Sequence, residues 1–270
     1  MKKLRLVSLI LGLLISCSLS SKAQLLIENF DYPVGDSLGQ HGWTGHGGTT
    51  MLNIIAGNQT YTNYFPSVGN QVYIGTSSND LSRAFTAVTS GNLYCAFIIN
   101  VDTAKTTPDY FFHTYSTGAG SSFLNRIYVK DNGDGTVKFG IQKGTTANGG
   151  SAVWTTNSYP KDVPHLVVLK VEIVSGTTND IPSIFVDPVL NGVEPTADAI
   201  ATDLTSADYA SIDRVAIRQG TANSPGAYFD GLRVATTWTD AVIVPALSTE
   251  TDILTYSIPS QVGNSTIDAT

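Results

Sequence analysis

Glutamate is nearly missing from this sequence: Glu28, Glu172, Glu194 and Glu250 are the only four in 270 residues, against 32 threonines. Glu suits helices and Thr suits a pleated, half-buried surface, so the ratio argues against a helical bundle and for strands. Charge is sparse as well. Lys, Arg, Asp and Glu make up 14% of the chain, against roughly 25% in an ordinary soluble domain. The charge present is mostly acidic, 22 Asp+Glu against 15 Lys+Arg, which argues against a binder of nucleic-acid backbones. Cysteine is confined to Cys17 and Cys95, so a core rather than disulfide staples must hold the fold. No apolar run reaches membrane-spanning length. Leu6 to Ile15 is ten residues long, whereas a bilayer takes about 20. With 42% hydrophobic residues there is material for a core, which excludes disorder.

The start of the chain reads as an address. Lys2, Lys3 and Arg5 precede the Leu6–Ile15 run, and Ser21-Lys22-Ala23 offers a small-x-small cleavage site. Residues 1–23 are therefore expected to be a signal peptide and the protein to be secreted or displayed at the cell surface. Leu14-Ile15-Ser16-Cys17 also resembles a lipobox, which would place a lipid anchor on Cys17. Loss of residues 1–23 removes four basic residues and no acid, leaving 11 bases against 22 acids.

Extended, alternating segments then recur with turn residues between them. Strands are expected near Leu25–Phe30, Met51–Ala56, Gln71–Gly75, Leu81–Thr86, Asn92–Val101, Asp109–Tyr115, Arg126–Asp131 and Thr136–Lys143. Four more are expected at His165–Val174, Pro182–Asp187, Arg214–Arg218 and Ala227–Ala235. Alternation is clearest where Val167, Leu169, Val171 and Ile173 form an apolar face opposite Val168, Lys170, Glu172 and Val174, with Lys170 and Glu172 as an ion-pair candidate. Asn132-Gly133-Asp134-Gly135 reads as a hairpin turn, because Asn-Gly and Asp-Gly tolerate positive φ. Short helical turns fit only near Ser206–Tyr209 and Thr237–Ala241. The pattern calls for two packed antiparallel sheets over residues 24–245. Residues 246–270 read as the start of a second β-domain or a tail packed on the first.

Two segments resemble a known family. Glu28-Asn29-Phe30-Asp31-Tyr32-Pro33-Val34-Gly35 with Gly42-Trp43 is similar to the opening of concanavalin A-like, LamG-type jelly rolls of secreted bacterial surface proteins. Ile212 to Gly220, followed by Phe229-Asp230-Gly231-Leu232-Arg233-Val234, is similar to the closing strands of that group. The resemblance implies an all-β, antiparallel two-sheet jelly-roll sandwich over roughly residues 25–243. It also implies a structural Ca²⁺ held by Asp230, with Glu28 assisting; hard oxygen ligands suit that ion. The tail Thr251–Ala269 is similar to the start of an Ig-like module.

The superfamily also contains lectins, glucanases and non-catalytic accessory modules. Its glucanases carry a Glu-x-Asp-x-x-Glu strand, whose period-two spacing aims nucleophile and acid into one cleft. That full pattern is absent here. Gly35-Asp36-Ser37-Leu38 and Asp162-Val163-Pro164-His165 spell the two motifs of GDSL esterases, but no helix is expected after Ser37, so the match reads as fortuitous. Asp131 to Gln142 lacks the bidentate Glu of an EF-hand, and His41 with His46 lacks a third zinc ligand. Cys95 reads as a buried hydrophobe. Trp43, Trp154 and Trp238 are candidate sugar platforms.

His113, Tyr115, Arg126, Tyr128, Lys170 and Arg218 are the candidate ligand residues, a polar strand face that could line a concave groove. The expected function is non-catalytic binding or scaffolding in an exported protein. A surface glycan or a cell-surface protein is the expected partner, with no nucleic acid and no transmembrane segment. A diverged polysaccharide hydrolase and a ligand-free spacer are the alternatives.

Overall fold

The computed structural model describes residues 24–243, apart from 47, 49, 66–67, 146–148 and 204. The expected signal peptide, the Cys17 anchor and the 246–270 segment lie outside the described residues. In chain order the first strands are β1 (Gln24–Glu28), β2 (Trp43–His46), β3 (Ile54–Ile55), β4 (Gln71–Ile74), β5 (Asp80–Val88) and β6 (Gly91–Thr103). Next come β7 (Asp109–Tyr115), β8 (Leu124–Asp131), β9 (Thr136–Gln142), β10 (Val153–Trp154) and β11 (Tyr159–Pro160). The last are β12 (Pro164–Ile173), β13 (Ile181–Val186), β14 (Ala199–Ile200), β15 (Ile212–Ile217) and β16 (Gly226–Ala235), before a one-turn helix α1 (Trp238–Val242).

These strands form the expected antiparallel two-sheet jelly-roll sandwich. The first sheet runs β14-β13-β12-β6-β16-β4-β3, with β1 on β16; the second runs β10-β9-β8-β7-β15-β5-β2, with β11 on β9. Alternation drives the packing. Val167, Leu169, Val171 and Ile173 point into the main core, as their odd-numbered spacing requires, and pair across β6 with Phe97, Cys95, Leu93 and Gly91. The second sheet answers with Phe112, Ile127, Val129, Phe139, Ile141, Val215 and Ile217. Phe97 of β6 meets Phe112 of β7 at 4.6 Å and Phe229 of β16 at 4.7 Å between ring centres, so one side chain joins three strands across the layers. Cys95 is buried in this core and burial pushes its thiol well above the ordinary range, in keeping with an inert hydrophobe.

The outer faces of the two sheets differ, and this difference places the site. The first sheet is apolar on its outside as well. Tyr94, Ala96, Ile98, Leu166, Val168 and Phe185 form a second cluster there, covered by Trp238, Ala241 and Val242 of α1 and by Tyr64. Thr237 caps α1 by accepting from the Asp240 amide. The outside of the second sheet carries charged, polar and aromatic groups instead.

Some expected details are corrected by packing. Lys170 does not pair with Glu172, which is exposed; its Nζ reaches Glu194 Oε1 at 2.7 Å, because residues 187–198 fold back over β12 and β13. No helix forms at Ser206–Tyr209. Asp208 is instead drawn to the buried Lys143 ammonium at 2.5 Å and accepts the amides of Asn179 and Asp180. A turn of 3-10 helix, Leu38–His41, does follow Ser37, closed by a Ser37–Gln40 capping box.

Candidate functional site

The register shows which side chains share the outer face of the second sheet. Tyr110 stands opposite Tyr128, which stands opposite Gly140, which stands opposite Trp154. Gly140 leaves room for the indole, since a Cβ there would meet Trp154 Cε3 at 2.8 Å. Arg126 pairs with Gln142 and Lys130 with Lys138. On the other side of β7, Arg214 pairs with Tyr115, and Ala216 with His113 and Ser82; Ser82 also pairs with Thr44. Five of the six expected ligand residues, His113, Tyr115, Arg126, Tyr128 and Arg218, therefore gather on or beside this face. Lys170 does not join them. It lies on the outside of the opposite sheet, because β12 pairs with β6 and β13.

At the centre, the Tyr110 ring is held between two guanidinium groups, Arg218 at 3.9 Å and Arg126 at 4.4 Å. Arg218 Nη1 binds Asp109 Oδ1 at 2.7 Å, and its Nε lies 3.6 Å from Asp80 Oδ2. Burial pushes Asp80 up to about 6 against the pull of Arg218 and the Gln219 amide. Asp109 is also buried, but the Arg218 and Thr221 hydrogen bonds outweigh that and hold it below the ordinary range. Both carboxylates are committed. Asp109 accepts from Arg218, the Tyr110 amide, the Thr221 amide and hydroxyl, and Ser224; Asp80 accepts the Gln219 amide. They brace the 219–224 turn against the sheet and leave no free pair for acid–nucleophile work.

His113 is fully buried and donates Nδ1–H to the Thr114 carbonyl at 2.9 Å. Burial, with the neighbouring His46 ring and the Arg126 and Arg218 cations, lowers its pKa to about 3, so the ring is neutral. Its Nε2 is then an acceptor with no partner among the described residues, and so is Asn125 Oδ1; His46 Nε2 is also buried without a partner there. Leaving such atoms dry is costly unless something supplies a donor. His46 also lines a cleft of about 230 Å³ with Thr44, Ser82, Tyr115, Thr117 and Arg214. Sequence reasoning missed His46 as a ligand residue. The signal was the period-two step from Thr44 across Gly45, hidden by glycines on both sides.

The three tryptophans separate. Trp43 is buried and donates to Glu28 Oε2 at 3.0 Å; Trp238 opens α1 and is buried against Tyr94 and Phe185; Trp154 alone is half-exposed on the outer face. His41 stacks on Tyr32 and pairs with Asp36, away from His46, so the two do not share a metal. His165 faces neither Ser37 nor Asp162. Its Nδ1 meets Asp187 Oδ2 at 2.6 Å and its Nε2 meets the Pro160 carbonyl at 2.9 Å. Neither nitrogen is left to activate a nucleophile, which removes the esterase reading.

Two acceptors around one ring require an imidazolium. Burial opposes the charge, but the Asp187 and Pro160 contacts outweigh it and raise the His165 pKa. A raised histidine stabilises fully below its unfolded value of about 6.5 and loses that contribution as pH climbs through the folded one. Urea unfolding should therefore show stability falling as pH rises above about 6.5, and His165→Asn should flatten that limb.

The donors around Asp230 and Glu28 do not fit calcium. Glu28 accepts from the Phe30 amide, the Tyr32 hydroxyl and Trp43, while Asp230 accepts the Gln59 and Gly231 amides. The buried Arg233 guanidinium feels both acids. Ca²⁺ wants about six to eight oxygen ligands, and no cluster of three His, Cys, Asp or Glu occurs among the described residues. The expected melting temperature is the same in Ca²⁺ and in EDTA; a rise with Ca²⁺ would restore the site.

No protein-family model matches the chain. No curated protein matches it either. Among solved structures, the globular domain of T. cruzi calreticulin superposes with a TM-score of 0.47 at 12% identity, over 79% of this chain and 88% of that one. A glycosyl hydrolase family protein of Mycobacterium fortuitum gives 0.41 at 13% identity, over 77% and 98%. A bifunctional GH43-CE protein of Bacteroides eggerthii gives 0.45 at 12% identity, over 78% of this chain and 26% of that protein. These are likenesses of shape.

Proposed function

We propose that the protein is a non-catalytic glycan-binding module and that the outer face of the second sheet is its binding surface. The observation that carries this is a cleft that sets the hydrogen-bonding side chains of Thr44, Ser82, Thr117 and Arg214 beside the stacked rings of His46 and Tyr115. A sugar presents hydroxyl donors at its edge and C–H groups on its face, so it can satisfy the first and stack on the second. The cleft beside His46 supplies both kinds of wall, with Tyr115 as the ring and Arg214 as the donor. The outside of the first sheet, sealed by α1, offers less of this chemistry.

Hydrolysis is disfavoured because the two acids near the face are tied to Arg218. A glycan array on the full chain tests the reading. Binding to a defined set of glycans is expected, falling at least tenfold with Tyr115→Ala or His46→Phe, with no release of reducing sugar. Absence of binding to every glycan, or cleavage of the bound one, would overturn it.

A further inference from the structure

The acids of this chain outnumber its bases, 22 to 15, so an acidic partner for every base would be the default. On the outer face of the second sheet this fails. Of the five cations there, only Arg218 has a carboxylate within ion-pair distance among the described residues. The other four are held by neutral groups. Arg126 Nε donates to the Phe123 carbonyl at 2.8 Å, and Arg214 Nε to Thr117 Oγ1 at 3.3 Å. Lys138 Nζ donates to the Thr156 carbonyl at 3.0 Å, and Lys130 Nζ sits 4.2 Å above the Trp154 ring. Elsewhere Lys143, Lys161 and Lys170 each have an Asp or Glu partner, while Arg83 donates to the His41 carbonyl. Arg126 and Arg218 also reach the buried His113, adding to the larger effect of burial in lowering its pKa.

An acidic protein that concentrates unneutralised cations on one aromatic face creates a local positive potential, which draws anions and repels cations. Orientation and extent narrow the class. The cations follow the strands: Lys130 lies just beyond the Val129–Asp109 pair, and Arg214 stands opposite Tyr115. Seven residues of β7 separate those levels, and at about 3.4 Å per residue the stripe is roughly 20 Å long. That is a track for a chain of charges, not a cup for one free anion. Tyr110, Tyr115, Tyr128 and Trp154 lie along the same track, so apolar faces alternate with positive heads.

We infer that the ligand is an acidic polysaccharide, a sugar polymer bearing a carboxylate or sulfate on its repeating unit. This rests on the glycan-binding reading above and names the ligand class. Arg214 offers a planar fork that matches a carboxylate, Lys130 and Lys138 act as point charges, and the buried Arg126 adds its charge from beneath. The acidic groups neutralise the stripe, and the sugar hydroxyls meet the Thr44, Ser82 and Thr117 side chains of the cleft.

The test is affinity electrophoresis of the full chain in gels containing polygalacturonate, dextran sulfate, laminarin or xylan, with single-stranded DNA as a non-sugar polyanion. Retardation is expected with polygalacturonate or dextran sulfate, and which of the two distinguishes carboxylate from sulfate. Affinity should fall at least tenfold between about 50 mM and 500 mM NaCl, because an exposed ion contact is screened. Lys130→Gln combined with Lys138→Gln, and separately Arg214→Gln, should each weaken retention at least fivefold with an unchanged melting temperature. Lys170→Gln removes the same charge from the opposite sheet and should change nothing. Binding to laminarin or xylan but to neither acidic polymer would overturn the inference and leave the glycan reading standing. Binding to no sugar polymer would overturn both. Equal retention by DNA, or equal loss with Lys170→Gln, would mean attraction to any polyanion and would also overturn it.

Discussion

Phe97→Ala should destabilise the protein by about 3–5 kcal/mol, the range for truncating a buried aromatic. Phe97 is fully buried, and its ring touches Phe112 on the facing sheet and Phe229 on the neighbouring strand, with Phe111 at 6.1 Å. The cavity would open between the two layers, where neither backbone can collapse into it without breaking a ladder. Guanidinium unfolding measures the loss, and Phe97→Leu should recover most of it. A loss below about 1 kcal/mol for the alanine variant would show that the aromatic cluster does not join the sheets.

Arg218→Met should cost a similar amount, about 3–5 kcal/mol, by a different route. The side chains of Asp80 and Asp109 are only 14% and 9% exposed. Without the guanidinium they become two buried carboxylates with no cation within ion-pair distance. Asp80 already sits at about 6 with Arg218 present, and removal of that charge pushes both acids up. An acid raised in the folded state stabilises fully below its unfolded pKa and loses that contribution as pH rises through the folded one. The variant should therefore be weakest near neutral pH and recover part of its stability towards pH 5, as its carboxylates take up protons. Thermal melts over that range, beside wild type, check the sign. A deficit that is flat with pH would show that lost packing against Tyr110, not exposed charge, is responsible.

Much of the framework was legible because period-two alternation is a backbone property. β7 was expected with its observed ends, and β12 turns its apolar odd-numbered positions to the core as its alternation requires. What escaped was short or glycine-rich: β2, β10, β11 and β14 have between two and four residues, too few for a period to show. The candidate face was read well on β7 and β8, where long strands announce their outward residues. Lys170 was misplaced because alternation tells which side of a strand a residue takes, not which sheet that strand joins. Glu194 could not be found as its partner, since 24 residues of turn and strand separate them. The Gly-Asn-Gln segments at 57–59 and 69–71 repeat one short sequence and touch: Gln59 Nε2 donates to Gln71 Oε1 at 2.6 Å, and Asn58 Nδ2 to the Gly69 carbonyl at 2.8 Å. A shared loop type there is a physical contact.

The margins of the sandwich bear on how the protein behaves in a crowd. The first sheet ends at β14 and β3, two residues each, with the five residues of β1 beside β4. The second ends at β10 and β11, two residues each, and at the four of β2. A polypeptide seeking to zip onto either rim finds only a few unpaired main-chain groups before the rail gives out, and growth by strand addition stalls there. High concentration should thus be tolerated without fibre formation, even though the described residues are mostly ribbons.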